Sequence, residues 1–200
     1  FEQFKEDFLK NDSLIRTYSN YIPLFRFPYL KEGDTREKVE SFRMLMKTHN
    51  YQNGHVTIDA SDWYIESRLR SRLRSDPKAN VDEFKKYYLR HLLERAMYYE
   101  GLAYKMTGRH IPHTLLLHHN LAAALFLGDL IKMFREQGWK AIDAEDAFKD
   151  VIFQREPSNV PAGESLIWAL TKESGKFDTL LRYPAEDSSY EKDAMDKLGL

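Results

Sequence analysis

Three short groups of residues could carry chemistry, and each one follows an apolar segment. They are Arg26-Phe-Pro-Tyr29, Asp59-Ala-Ser-Asp62-Trp63, and the histidine that ends Leu115-Leu-Leu-His118. A histidine beside a carboxylate can act as a general acid or base near neutral pH. An arginine can orient a carboxylate through two parallel hydrogen bonds, and a backbone N–H that follows proline can stabilise an oxyanion.

Each group also has a structural interpretation when it is taken alone. Arg26 could be a surface arginine before a tight turn, and Asp62 could cap a helix with Trp63 in the core. His118 could be a structural hydrogen bonder. The convergence of all three groups at strand ends favours a functional site over these readings.

The elements that would position these residues alternate between strand and helix. We expect strands at residues 22–29, 55–59, 113–118 and 139–142, and a turn at Asn53-Gly54. The order predicts an α/β fold with a parallel sheet, and it suits part of an α/β barrel, whose active site lies at the carboxyl ends of the strands. The helices are expected at residues 1–19, 34–48, 121–137 and from 143.

Two further regions complete the predicted organisation. Residues 65–106 read as a helical insertion that Pro77 breaks in two, within a barrel portion that spans residues 1–154. Residues 155–200, which include Pro157 and Pro184, are expected to form a C-terminal extension of short helices and loops on the outside. Four arginines at 68–74 predict a solvated surface, with contact to an anionic glycan or to another part of the chain as the alternative.

Composition excludes several classes of protein. The 200 residues carry 30 basic and 31 acidic side chains, so a net charge of −1 gives no case for nucleic-acid binding. No apolar run is long enough to span a membrane. The absence of cysteine excludes disulfides and thiolate metal sites. Because the chain opens on an amphipathic helix without an initiator methionine, we expect it to extend upstream of Phe1, with any export signal there.

The remaining histidines are weaker candidates. His110 and His113 form an H-x-x-H pattern, but it lies at the opposite end of the strand from His118, so a metal site there is disfavoured. His49, His55 and His91 have no partner at ligand spacing, and we interpret them as structural or exposed.

The strings FRFPYLKEG, TIDASDWY and HTLLLHHN contain R-x-P-Y, D-x-x-D-W and L-L-x-H in that order. This series resembles the later motifs of the polysaccharide deacetylase family, carbohydrate esterase family four, and especially its bacterial members. The resemblance covers residues 1 to about 150. It implies a distorted (β/α) barrel and a hydrolase in which a divalent metal, usually zinc, activates a water that attacks an acetyl carbonyl. It also implies a periplasmic or extracellular location.

The resemblance assigns roles to individual residues. Arg26 would hold the aspartate that acts as catalytic base, and the N–H of Tyr29 would stabilise the oxyanion. Asp62 would pair with His118, which would protonate the leaving amine or alcohol. The pocket for the acetyl methyl group would be lined by Pro28, Trp63 and Leu116.

The sequence departs from the family pattern in two ways. The Asp-Asp and H-x-x-x-H motifs that supply the base and the metal ligands are missing, and the 25 residues before Arg26 contain no histidine. His119 also stands where many relatives carry aspartate. We therefore expect the metal ligands upstream of residue 1, in the same or a separate chain. The missing strands would leave a barrel edge open and the first helix without partners for its Phe and Leu side chains.

Two main hypotheses follow. The chain is the C-terminal portion of an active deacetylase of an acetylated glycan, inactive as an isolated piece, or it is a non-catalytic glycan-binding or assembly module on a degenerate deacetylase scaffold. An unrelated α/β domain with chance motifs is the third possibility.

Overall fold

A computed structural model describes residues 1–182 and 187–200, so the loop predicted around Pro184 lies outside the described residues. These residues form eight α-helices, three short 3-10 turns and one sheet of two parallel strands. The helices are α1 (Glu2–Ile15), α2 (Arg36–Thr48), α3 (Asp62–Ser75), α4 (Asp82–Thr107), α5 (Leu121–Glu136), α6 (Ala144–Ala147), α7 (Leu166–Ser174) and α8 (Ser189–Lys197). The strands are β1 (Leu24–Phe25) and β2 (Gln52–Asn53), and the 3-10 turns are Pro28–Leu30, Val151–Gln154 and Asp178–Leu180.

Three of the predicted strand segments take part in parallel pairing, at two separate places. Leu24 pairs with Gln52 in the β1–β2 sheet, and an isolated parallel bridge joins Ile58 to Leu115. The N–H of Leu116 donates to the carbonyl of Ile58 at 3.0 Å. The fold is therefore mixed α/β with a parallel sheet, although the part of the chain that the structure describes forms no closed barrel.

Two local predictions about this sheet are wrong. Asn53 belongs to β2 and pairs with Phe25, so it does not begin a turn. Residues 139–142 form no strand, because the N–H of Trp139 turns back to the carbonyl of Phe134 at 2.9 Å after the end of α5. Gly138 has a φ of 84°, which ends the helix in a left-handed conformation.

The region predicted as a helical insertion forms α3 and α4, with the break at Pro77 as predicted. The long helix α4 packs against α3, α5 and α7. Tyr88 and Tyr99 on this helix are completely buried. Helix α4 therefore contributes to two apolar clusters, one shared with α3 and α5 and the other shared with α7.

The expectation that the C-terminal extension packs on the outside is wrong for α7. The side chains of Leu166 and Ile167 are at most 1% exposed, and they belong to the same apolar cluster as Ile58. Ser165 begins the helix by accepting a hydrogen bond from the N–H of Trp168. This part of the extension is therefore core.

The first helix is better partnered than the sequence suggested. Phe4 and Phe8 pack into an aromatic cluster with Phe25, Phe27 and residues of α2, so the expectation that the Phe and Leu side chains of α1 lack partners is wrong for these two. Leu14, in contrast, is 65% exposed. The helix ends at Ile15, four residues earlier than predicted.

The arginine-rich part of α3 contacts another part of the chain. Arg68 forms an ion pair with Asp196 at 2.7 Å and donates to the carbonyl of Leu200, while Arg72 donates to the carbonyl of Gly199. The alternative interpretation of this run is therefore the correct one for Arg68 and Arg72. In the described residues, no helix has the length and apolar character needed to cross a membrane.

Candidate functional site

Asp62 is the centre of the candidate site. It is the first residue of α3, and its side chain is completely buried. One carboxylate oxygen lies 2.7 Å from Nδ1 of His118, and the other accepts the backbone N–H of His118 at 2.9 Å. The side-chain amide of Asn120 adds a longer contact of 3.4 Å. The position of Asp62 in the first turn of α3 is one that suits an acidic side chain, because the N-terminal end of a helix carries a partial positive charge.

His118 presents its other nitrogen to the outside. Because an ionised carboxylate only accepts hydrogen bonds, the Nδ1 that faces Asp62 carries a hydrogen. The imidazole is 47% exposed, and its Nε2 has no hydrogen-bond partner among the residues that the structure describes. The pair therefore leaves one ring nitrogen free to exchange a proton with a bound molecule.

The parallel bridge between Ile58 and Leu115 positions His118. Leu115 and Leu117 pack into the apolar clusters beneath the helices, whereas the half-buried Leu116 belongs to neither cluster. Side chains alternate along an extended segment, so Leu116 and His118 lie on the face away from the helices. The role of Leu116 in an acetyl pocket, which the resemblance implies, stays a prediction.

The Arg26-Phe-Pro-Tyr29 group lies beyond the end of β1. Arg26 is exposed and forms no ion pair among the described residues. Tyr29 has a φ of 55° and is 88% exposed, and its N–H has no acceptor in the described part of the chain, whereas Leu30 donates to Phe27 at 2.9 Å. The turn thus leaves the N–H of Tyr29 and the guanidinium of Arg26 available to bind another group.

The predicted pocket residues are placed on the surface. Pro28 is exposed and begins the 3-10 turn that contains Tyr29. Trp63 is 44% exposed, with its ring edge-on to that of Tyr64 at 5.9 Å. The alternative in which Trp63 fills the core is therefore wrong.

Two further carboxyl groups lie near the pair. Burial, and then the charge of Asp62, raise the pKa of Asp59 to about 6, although the hydrogen bond from the N–H of Ala60 and the charge of Arg26 oppose the increase. Burial, and then the charge of Asp59, raise the pKa of Glu164 to about 7 against the effect of Lys31. Arg26, Asp62 and His118 thus all act electrostatically on Asp59.

Sequence reasoning missed Glu164. It lies in a segment without a helical or strand pattern, just before the Ser165 cap of α7. The only local signal is Gly163-Glu164-Ser165, which is an ordinary helix start. The proximity of Glu164 to Asp59 depends on tertiary structure.

No metal centre is formed by the described residues, which contain no group of three histidine, aspartate or glutamate side chains that could hold an ion. His110 and His113 both contact the carboxylate of Glu100 instead, the latter at 2.7 Å through Nε2. The disfavoured H-x-x-H metal site is thus replaced by a histidine–glutamate cluster.

No protein-family model, curated protein or solved structure matches the chain. The function must therefore be argued from the geometry of the site.

Proposed function

We propose that this protein is the C-terminal part of a metal-dependent deacetylase, built on a distorted (β/α) barrel, that removes acetyl groups from an acetylated carbohydrate. The observation that carries the proposal is the Asp62–His118 pair, in which a completely buried carboxylate holds a half-exposed imidazole at 2.7 Å. This is the arrangement that a general acid requires, since its free nitrogen reaches the substrate and its other nitrogen is fixed. The location implied by the resemblance is periplasmic or extracellular.

In this proposal His118 supplies the proton that the leaving group needs. As the bond between the acetyl carbon and the sugar nitrogen or oxygen breaks, Nε2 of the imidazolium gives its proton to the departing atom. The imidazole returns to the neutral form with its hydrogen on Nδ1, where Asp62 accepts it. Asp62 stabilises the imidazolium before transfer and fixes the direction of the free nitrogen.

Arg26 and Tyr29 have complementary roles in the same reaction. The N–H of Tyr29 has no acceptor among the described residues, so it is free to bind the oxygen of the tetrahedral intermediate. The guanidinium of Arg26 forms no ion pair there, so it can orient a carboxylate from elsewhere. Pro28, Trp63 and Leu116 would surround the acetyl methyl group.

The metal that the resemblance implies does not fit the residues of this chain. Within the described ranges there is no three-ligand group, and Asp62 is already engaged by His118 and Asn120. Zinc in this family polarises the acetyl oxygen and activates water. Its ligands, and the base that Arg26 would hold, are therefore expected upstream of residue 1, in the same or a separate polypeptide.

The test is release of acetate from acetylated chitin oligomers and from other acetylated glycans. The protein in its natural length, supplied with zinc, should release acetate, and residues 1–200 alone should release none. Metal content is measured in parallel by elemental analysis. Full activity of residues 1–200 alone would contradict this proposal.

A second function is supported by the exposed aromatic side chains. Tyr29 and Trp63 lie on the surface beside a site where the described residues form no metal centre, which suits a glycan-binding or assembly module. Titration calorimetry with glycan oligomers separates the two functions. Binding that Trp63→Ala abolishes, without acetate release from the natural-length protein, would favour the binding module.

A further inference from the structure

The side chain of Asn120 begins helix α5, two residues after His118. Its Oδ1 accepts the N–H of Ala123 at 2.9 Å, and its backbone carbonyl accepts the N–H of Ala124 at 3.0 Å. The backbone of Asn120 is extended, with a φ of −140° and a ψ of 179°, which is typical of a residue that caps the N-terminal end of a helix. Helix capping therefore determines how the amide of Asn120 is oriented.

That orientation turns the amide nitrogen toward Asp62. A backbone N–H can only donate, so the amide atom that faces Ala123 is the oxygen and the other atom is the nitrogen. The nitrogen lies 3.4 Å from Oδ2 of Asp62, whose side chain is completely buried. A flipped amide would lose the cap and would set its oxygen against the carboxylate. Both contacts of Asn120 thus require the same orientation of its side chain.

Among the described residues, the carboxylate of Asp62 is contacted by three hydrogen-bonding groups. Oδ2 accepts the backbone N–H of His118 at 2.9 Å and the amide of Asn120, while Oδ1 lies 2.7 Å from Nδ1 of the imidazole. A buried carboxylate is costly unless its oxygens receive hydrogen bonds. Because Oδ2 is held by two donors, rotation of the carboxylate away from the imidazole would strain or break both contacts. Asn120 therefore acts on the ring of His118 through Asp62.

We propose that Asn120 is a positioning residue of the candidate site. Its amide, oriented by the cap of α5, holds Oδ2 of Asp62 and thereby keeps Oδ1 on Nδ1 of His118. The positioning itself is independent of the reaction, whereas its consequence for catalysis rests on the proposed function. The residues His118-His119-Asn120 thus supply the imidazole and, two positions later, a donor for its carboxylate partner, while His119 between them is exposed.

Nitrogen-15 NMR of the His118 imidazole in the natural-length protein tests the positioning without any substrate. The measured quantity is the rate at which the Nδ1 hydrogen that faces Asp62 exchanges with water. Asn120→Ser keeps an oxygen that can cap α5 but removes the amide donor, so the pair should open more often and exchange about fivefold faster, the effect of one ordinary hydrogen bond. Asn120→Asp also keeps a capping oxygen but places a second carboxylate against Asp62, so it should accelerate the exchange further. An unchanged exchange rate in Asn120→Ser overturns the proposal.

Matched variants separate positioning from helix capping. Asn120→Ala removes both the cap and the donor, so it should lose more stability in urea than Asn120→Ser and show the same faster exchange. Thr35→Ala removes the hydroxyl that caps α2 by accepting the N–H of Lys38 at 3.3 Å. This control should leave the exchange of the His118 hydrogen within about twofold of the wild type, because it removes a cap without a donor to Asp62. Faster exchange in Asn120→Ala but not in Asn120→Ser would show that Asn120 only caps the helix, and it would overturn the proposal. If Asn120→Ala fails to fold, as judged by circular dichroism, Asn120→Ser decides the outcome.

The consequence for catalysis is tested by the steady-state kinetics of acetate release. Asn120→Ser should lower kcat about fivefold and leave KM unchanged, because Asn120 acts on Asp62 and not on the bound glycan. In a His118→Ala background the same substitution should cause no further loss, since its effect passes through the imidazole. Faster hydrogen exchange in Asn120→Ser, with no acetate release by the natural-length wild type, would refute the deacetylase function and leave the positioning intact. An unchanged kcat in an active Asn120→Ser variant would refute the role of Asn120 in catalysis and leave the deacetylase function intact.

Discussion

The segment 113–118 carries a histidine–carboxylate pair at each end, and the two pairs are built in opposite ways. At the carboxyl end the carboxylate of Asp62 is completely buried and the imidazole of His118 is 47% exposed. At the other end the imidazole of His113 is only 4% exposed and the carboxylate of Glu100 is 21% exposed. The first pair leaves a ring nitrogen free, while the second uses both.

The hydrogen bonds of His113 explain this difference. Its Nε2 lies 2.7 Å from Glu100, and its Nδ1 lies 3.0 Å from the hydroxyl of Thr57. Its ring also packs against Trp139 at 5.8 Å. Burial lowers the pKa of His113 in spite of the opposing effect of Glu100. A histidine with both nitrogens occupied stabilises the fold, whereas a histidine with one free nitrogen can exchange protons.

The largest expected effect is on activity at the exposed pair. Under the proposed function, His118→Ala should reduce acetate release by the natural-length protein by about 10²- to 10⁴-fold, because the leaving group would lose its proposed proton donor. Its free energy of unfolding in urea should also fall by about 1–3 kcal/mol, because the completely buried carboxylate of Asp62 loses one hydrogen-bond partner. A variant with wild-type kcat/KM would remove His118 from the mechanism.

At the buried pair the expected effect is on stability and not on activity. His113→Ala removes an imidazole that two side chains and Trp139 contact, so the free energy of unfolding should fall by about 2–3 kcal/mol. His110→Ala is the matched control, because that ring is 83% exposed, and it should cost less than about 0.5 kcal/mol. Equal losses for the two variants would contradict the structural role of His113.

A smaller effect concerns acid stability. Burial and the charge of Arg43 lower the pKa of His55 from 6.5 to about 4, and burial and nearby arginines lower that of His91 to about 3. Both histidines are neutral in the fold, so their stabilising contribution is complete above pH 6.5 and is lost as the pH falls toward 4.

Urea unfolding at several pH values from about 7 to about 4 measures this loss, because this interval covers the fall from the ordinary histidine pKa of 6.5 to the folded-state pKa of His55. His91→Phe keeps an aromatic ring next to Tyr87 and removes the titration, so its stability should depend less on pH. A pH dependence that is unchanged in His91→Phe would show that His91 has the same pKa in the folded and unfolded states, which contradicts the lowered pKa.

The sequence predicts the exposed pair better than the buried one, for a physical reason. Parallel segments bring their carboxyl ends to one edge, so residues that follow them, such as Asp62 and His118, must meet. Glu100 reaches His113 from the middle of α4, and Glu164 reaches Asp59 from an irregular segment. Neither position carries a periodic signal, because tertiary packing of helices decides both.

The errors in the fold have the same origin. The apolar residues of α7 suit a surface helix of an extension as well as a core helix, and only the contact with α4 distinguishes the two. The segment Trp139-Lys-Ala-Ile142 has the alternation of a short strand. The N–H of Trp139 nevertheless donates to Phe134 and completes the end of α5. The local sequence pattern predicts where most helices lie, but it does not specify which other element each helix packs against.

The central claim is that Asp62 and His118 act as one unit, and a double-mutant cycle on kcat/KM for acetate release tests it most directly. The four natural-length proteins are the wild type, His118→Ala, Asp62→Asn and the double variant. The account predicts that the double variant loses about as much activity as His118→Ala alone, because Asp62 acts only through the imidazole. Losses that multiply in the double variant would show that the two residues act independently and would contradict the account.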